Sequence, residues 1–233
     1  IGQGTFAGCT SLISVVVGNS VTNIGSYAFS GCTALTSINV HSSNPYFDSI
    51  DGILFNKSLT SLIQCPGGFS GSFTIPDGVT SIGENAFISC RTLTAVTIPD
   101  SVTSICQGAF RNCSALASVT IPASVISIGA VSFENCTSLA SITIPDSVTS
   151  IGQGAFENCK SLTSIIIPAS VTSVGQETFY NCTSLTSIII PASVTSINAY
   201  AFSGCSALAS VTIPASVTSI GDLAFSGCRS LAS

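Results

Sequence analysis

The sequence predicts a solenoid, one elongated stack of coils with parallel strands, and three observations predict it. A 23-residue pattern is repeated along the chain. Phenylalanine falls at Phe6, Phe29, Phe87, Phe110, Phe133, Phe156, Phe179, Phe202 and Phe225, and a cysteine follows three residues after each, from Cys9 to Cys228. A third column, Val17, Val40, Ile75, Ile98, Ile121, Ile144, Ile167, Ile190 and Ile213, keeps the same phase. A unit this short can bury its apolar side only against its neighbours, so a fixed period in this range means stacked coils.

One copy, Leu162–Cys182, shows how each part arises. Leu162-x-x-Ile165-x-Ile167 alternates as a half-buried strand does, with Ile165 and Ile167 inward and Ser164 and Ile166 outward. Pro168 has no N–H to donate and ends the strand. Val171 and Val174 return to the interior, and Gly175 permits a tight turn. Phe179 and Cys182 fill the far side, and 176–181 has room for a single helical or 3₁₀ turn. Strands of successive coils then pair into one parallel sheet along the inner face, with short 3₁₀ or irregular backbone opposite, over about ten coils. Burying each inward Val, Leu, Ile or Phe is worth about 1.5–3 kcal/mol, enough to fold the array without metals or disulfides.

Composition excludes several function classes. The chain carries 10 acidic and 5 basic residues, 6% charged, against the roughly 25% usual for soluble proteins. A net charge of −5 with no basic cluster argues against nucleic acid and against an anionic membrane surface. No apolar run approaches the roughly 20 residues that span a bilayer. No signal peptide is visible, there is no methionine, and both ends fall mid-repeat, so we expect a piece of a longer protein with residues 1–233 forming one continuous array.

Of 11 cysteines, nine share one phase of the repeat. They read as a column of buried free thiols. Coils about 4.8 Å apart also permit a disulfide between neighbours, and the odd total leaves at least one thiol unpaired. With one histidine, His41, and no CxxC pair, no zinc site is expected.

The pattern Leu-x-x-Ile-x-Ile-Pro-x-Ser-Val-Thr-x-Ile-Gly-x-x-x-Phe-x-x-Cys-x-x-Leu resembles the BspA-like class of leucine-rich repeats over the whole chain. The resemblance implies a leucine-rich repeat solenoid of the α/β-type repeat class, on a surface-exposed or secreted protein linked to adhesion and host-protein binding. It implies no catalytic residues and no cofactor.

Between Val40 and Ile75 the spacing widens to 35 residues. Gly52-Ile53-Leu54-Phe55 and Leu62-Ile63-Gln64 read as strands around an Asn56-Lys57-Ser58 turn, a hairpin within 41–75 that covers the solenoid's flank. His41, Tyr46, Asp48, Asp51 and Cys65 make this the most chemically varied stretch, but one histidine beside two acids is weak support for catalysis, and the expectation is no enzyme. His41 stands where Pro is usual and is expected at the surface.

The outward strand positions form two rails. One includes Ser118, Ser141, Ser164, Ser187 and Ser210; the other Thr120, Thr143, Ile166, Ile189 and Thr212; neither carries charge. This face is the expected site for an extracellular protein or surface glycan, although Thr on an exposed strand is also plain β-propensity. The alternatives are a scaffold subunit of a larger assembly and, more remotely, ice or glycan binding by the Ser/Thr rails. Asp77, Asp100, Asp146, Arg111, Glu134 and Glu157 read as solubilising rim charges. Asn112, Asn135 and Asn181 match the glycosylation sequon but read as turn formers, with Asn56 the better glycan candidate.

Overall fold

The computed structural model describes residues 1–232; Ser233, the last residue of the expected array, lies outside them. The first strands are β1 (Ser14–Val17), β2 (Ser37–Val40), β3 (Phe47–Ile50), β4 (Ile53–Asn56) and β5 (Ser61–Gln64). Each later coil adds a longer and a two-residue strand: β6 (Ser70–Thr74) and β7 (Ser81–Ile82), β8 (Thr92–Thr97) and β9 (Ser104–Ile105), β10 (Ser118–Thr120) and β11 (Ser127–Ile128), β12 (Ser141–Thr143) and β13 (Ser150–Ile151). The last are β14 (Ser164–Ile166) and β15 (Ser173–Val174), β16 (Ser187–Ile189) and β17 (Ser196–Ile197), β18 (Ser210–Thr212) and β19 (Ser219–Ile220).

The chain is a parallel β-solenoid of about nine turns. The long strands stack in register, β1 on β2 and then β6 through β18. The expectation of a single sheet is corrected. The short strands form a second parallel ladder, β5-β7-β9-β11-β13 followed by β15-β17-β19. Two residues are too few for alternation to show in a sequence, but Ser-Ile at a fixed phase repeats its pairing from β7 through β13.

The helical or 3₁₀ turn is corrected as well: no helix of any kind occurs among the described residues. The reason is in the backbone. Each coil carries a left-handed residue two positions before the Phe and another just before the Cys, as at Val131 (φ 49°) and Asn135 (φ 60°). A right-handed helix cannot run through them. Alternate N–H groups instead reach the next coil, Val131 to Gln153, Phe133 to Ala155 and Asn135 to Glu157, while Cys136 closes a turn onto Phe133. The sequon asparagines 112, 135 and 181 all occupy this left-handed position, where Gly31 and Gly204 stand in other coils. Asn is one of the few side chains that tolerate it.

The column cysteines are free thiols, buried from Cys32 to Cys205, with Cys9 exposed and Cys228 half-buried. From Cys113 onward each thiol donates to the Phe carbonyl of the preceding coil, Cys113 to Phe87 at 3.0 Å, Cys136 to Phe110 and Cys159 to Phe133 at 3.2 Å, whereas Cys90, which follows the long unit, donates to the Pro66 carbonyl at 3.4 Å. The Phe rings stack face to face, 4.9 Å apart for Phe87–Phe110 and 5.5 Å for Phe133–Phe156. The serine of Pro-x-Ser-Val joins coils in the same way, Ser124 Oγ donating to the Val102 carbonyl at 2.6 Å.

The long unit is not a flap on the flank. β3, β4 and β5 form an antiparallel meander, and β5 continues in parallel onto β7. Ile53, Leu54 and Phe55 are all fully buried. Phe47 and Leu54 belong to a small N-terminal core with Phe29, Cys32 and Leu35, whereas Ile53 and Phe55 belong to the long core that runs to Ala224. Alternation along β4 therefore sends its side chains into two cores, and the strand divides them. Asn56 holds the β4–β5 turn, donating to Ser58 and Thr60 hydroxyls and accepting from the Ser61 N–H.

Candidate binding face

Pairing in the long-strand sheet sets the rails. Ser118 is paired with Ser141 and Thr120 with Thr143. Ser141 pairs with Ser164. Ser164 and Ile166 pair with Ser187 and Ile189, which pair in turn with Ser210 and Thr212. All ten side chains are exposed, while Val119, Ile142, Ile165 and Ile188 between them are buried. The structure thus brings the ten residues onto one surface of five neighbouring strands, free of ionisable groups.

Two features mark this face, the first legible in the sequence as neighbouring members of one rail and the second not. Ile166 and Ile189 are each 67% exposed and lie side by side, an apolar spot on an otherwise hydroxyl surface. Beside it the surface dips between β12 and β14, a depression of about 250 Å³ lined by Ser141, Thr143, Ser164 and Ile166 among others. The pairing is thinnest there: β12 and β14 share one register pair, and β13 does not pair with β15 at all.

The varied residues of the long unit do not converge. His41 is exposed and its Nδ1 accepts from the Ser43 N–H. Asp48 is bound by Lys57 at 3.0 Å, and that ammonium, with the Ser49 N–H, holds its carboxyl below the usual range. Cys65 is buried. Among the described residues no group of three or more His, Cys, Asp or Glu is placed to hold a metal.

One rim expectation is corrected. Glu134 is 7% exposed, because Arg111 Nε reaches its Oε2 at 2.7 Å and Arg111 Nη2 and Asn135 Nδ2 reach its Oε1. Glu157 stays half-exposed, and burial together with the neighbouring Glu134 and Glu177 charges raises its pKa. No helix among the described residues is long and apolar enough to cross a membrane.

The stacked Phe, Cys and Leu columns meet a family model directly. The model for the BspA type leucine rich repeat region matches six copies, over residues 1–70, 69–186 and 104–232. The chain belongs to the BspA-type leucine-rich repeat family. A crystal structure of a leucine-rich repeat protein from Eubacterium ventriosum is similar over 93% of this chain, with 30% identity and a TM-score of 0.82, and the match spans 59% of that protein's length. The T. pallidum leucine-rich repeat protein is similar over 82% of this chain and 90% of its own, at 30% identity and a TM-score of 0.70. A leucine rich cell surface protein from Faecalibacterium prausnitzii matches 100% of this chain and 81% of its own, at 28% identity and a TM-score of 0.50. No curated protein matches the sequence. BspA-type repeats are typically non-catalytic, and these bacterial proteins place the chain among leucine-rich repeat solenoids.

Proposed function

We propose that this BspA-type array is a non-enzymatic adhesion module that binds a protein at or outside the cell surface through the exposed face of β10, β12, β14, β16 and β18. The observation that carries this reading is the adjacent pair Ile166 and Ile189, each 67% exposed, in the middle of an uncharged, in-register face. Large apolar side chains grouped at a surface cost solubility, and they gain free energy when a partner covers them. The surrounding Ser and Thr hydroxyls supply a polar rim that can hydrogen-bond without a charge to desolvate. The cell-surface description of the Faecalibacterium relative supports the location.

The test is binding to immobilised extracellular-matrix proteins by the chain and by the double variant Ser118→Arg/Thr120→Arg. Both sites are exposed, so the variant keeps its fold. Loss of binding at an unchanged melting temperature supports the reading. Binding that survives both arginines removes this face from the interaction, and a scaffold role in a larger assembly then takes its place.

A further inference from the structure

We propose that a second site, on the corner that leads into the long strands, holds the carboxylate of an acidic sugar in an anionic polysaccharide. It does not depend on the rail face. Among the described residues the only ion pairs are Lys57–Asp48 and Arg111–Glu134, so Arg91, Lys160 and Arg229 have no acidic partner. These three stand at one phase of the repeat, directly after the column cysteines Cys90, Cys159 and Cys228, and each is three coils from the next. The other places in the column are hydroxyls, Thr10, Thr33, Ser114, Thr137, Thr183 and Ser206, and no acid occurs there. In a chain of net charge −5 this is a line of one sign and of hydrogen-bonding groups only. Coils about 4.8 Å apart put its cations about 14 Å apart.

At Arg91 the line deepens into a pocket of about 220 Å³, lined by Arg91, Asn112, Ser114, Asn135 and Thr137. That is below the roughly 300–1,000 Å³ of sites for drug-sized ligands, and it suits a single ring. Asn135 Nδ2 donates to Asn112 Oδ1 at 2.9 Å, which leaves Asn112 Nδ2 and the Ser114 hydroxyl turned to no protein acceptor. The Arg91 and Ser114 N–H groups are already used inside their turns, on the Ser89 and Asn112 carbonyls. A ligand therefore meets one guanidinium, one carboxamide and hydroxyls. Such a set matches one planar carboxylate with hydroxyls beside it, whereas the tetrahedral units of a polyphosphate bring no sugar hydroxyls to meet Asn112 and Ser114. Glu134, behind the wall, has its charge taken up by Arg111 and Asn135.

The experiment titrates the chain at low salt with polygalacturonate, with its fully methyl-esterified form and with polyphosphate. Polygalacturonate is expected to bind, and the ester and polyphosphate at least about tenfold more weakly, as befits a charge-assisted hydrogen bond of about 1.5–3 kcal/mol. Arg91→Gln and Asn112→Gly are each expected to weaken binding about tenfold; glycine preserves the left-handed backbone of residue 112 (φ 62°), so the turn survives. Ile166→Ser/Ile189→Ser, on the rails, is expected to leave it unchanged. Absence of binding, equal binding of polyphosphate, or indifference to Arg91→Gln would overturn the proposal.

Discussion

The Cys136 thiol donates to the Phe110 carbonyl 3.2 Å away, 26 residues back in the chain and one coil below. The same carbonyl also accepts the Cys113 N–H at 3.1 Å. The cysteine is thus an apolar filler that also pins one coil to the next. Cys136→Val keeps an apolar side chain and removes the donor, and it should cost about 0.5–1.5 kcal/mol in urea unfolding. Cys136→Ala adds a cavity and should cost about 2 kcal/mol. A valine variant as stable as the parent would show that the thiol only fills space.

Burial pushes the thiols of Cys113, Cys159 and Cys182 well above their ordinary 9.0, and that of Cys205 up to about 12. A raised folded-state pKa stabilises fully below the unfolded value and loses that contribution as pH rises towards the folded one. Stability should therefore be flat up to about pH 8 and fall above pH 9, by up to about 1.4 kcal/mol per pH unit for each such thiol. Melting temperatures from pH 7 to 11 check this. In parallel, a thiol reagent at neutral pH should reach Cys9 first and the buried column only after unfolding.

Val131 and Ser132 are the out-of-pattern pair of their coil. Val131 is β-branched in a left-handed conformation that Gly108 and Gly154 occupy in adjacent coils. Ser132 is fully buried with its hydroxyl unpartnered, where Ala109 and Ala155 stand in the neighbours; Thr178, at the same phase, donates to the Gly175 carbonyl. Val131→Asn should stabilise by about 1 kcal/mol through relief of strain. Ser132→Ala should stabilise by about 1–3 kcal/mol by removing an unsatisfied group. Chemical denaturation of the two single variants and the double variant measures both.

The second ladder is interrupted between β13 and β15. The N–H of Gly129 bonds to Ile105 and that of Gly152 to Ile128, both at 2.8 Å, whereas the Gly175 N–H makes no such bond. A Cβ added at Gly152 would collide with the Ala130 backbone, while one at Gly175 would clear the Ile151 carbonyl at 3.6 Å. The coils stand apart there. In hydrogen exchange the Gly175 amide should exchange faster than those of Gly129 and Gly152; equal protection at the three glycines would show that the joint is closed in solution.

The columns of Phe, Cys, Leu and Ile were legible because a stacked position repeats one environment, so one residue type satisfies it in every coil. The rails followed from alternation about Pro168 and its equivalents. The two-residue ladder was not legible, since Ser173-Val174 shows no period of its own and its pairing depends on the coil below. Nor was the division of the core by β4: Ile53-Leu54-Phe55 is an apolar run, and only three dimensions show that its alternate members face different interiors. Nothing in the sequence marks the Pro-x-Ser-Val serine as a tie, yet its hydroxyl spans the gap between coils. The depression beside Ile166 reflects loosened pairing, and no single residue announces that.

Because the ties between one coil and the next recur every 23 residues, as the Ser118–Ser141 pairing does, the chain is modular at the level of the gene. Excising or duplicating one whole unit between β10 and β18 rejoins surfaces that already match. Recombination can therefore lengthen or shorten this part of the molecule in steps of one coil, and each step changes the reach of the exposed strand face while leaving its texture as it was.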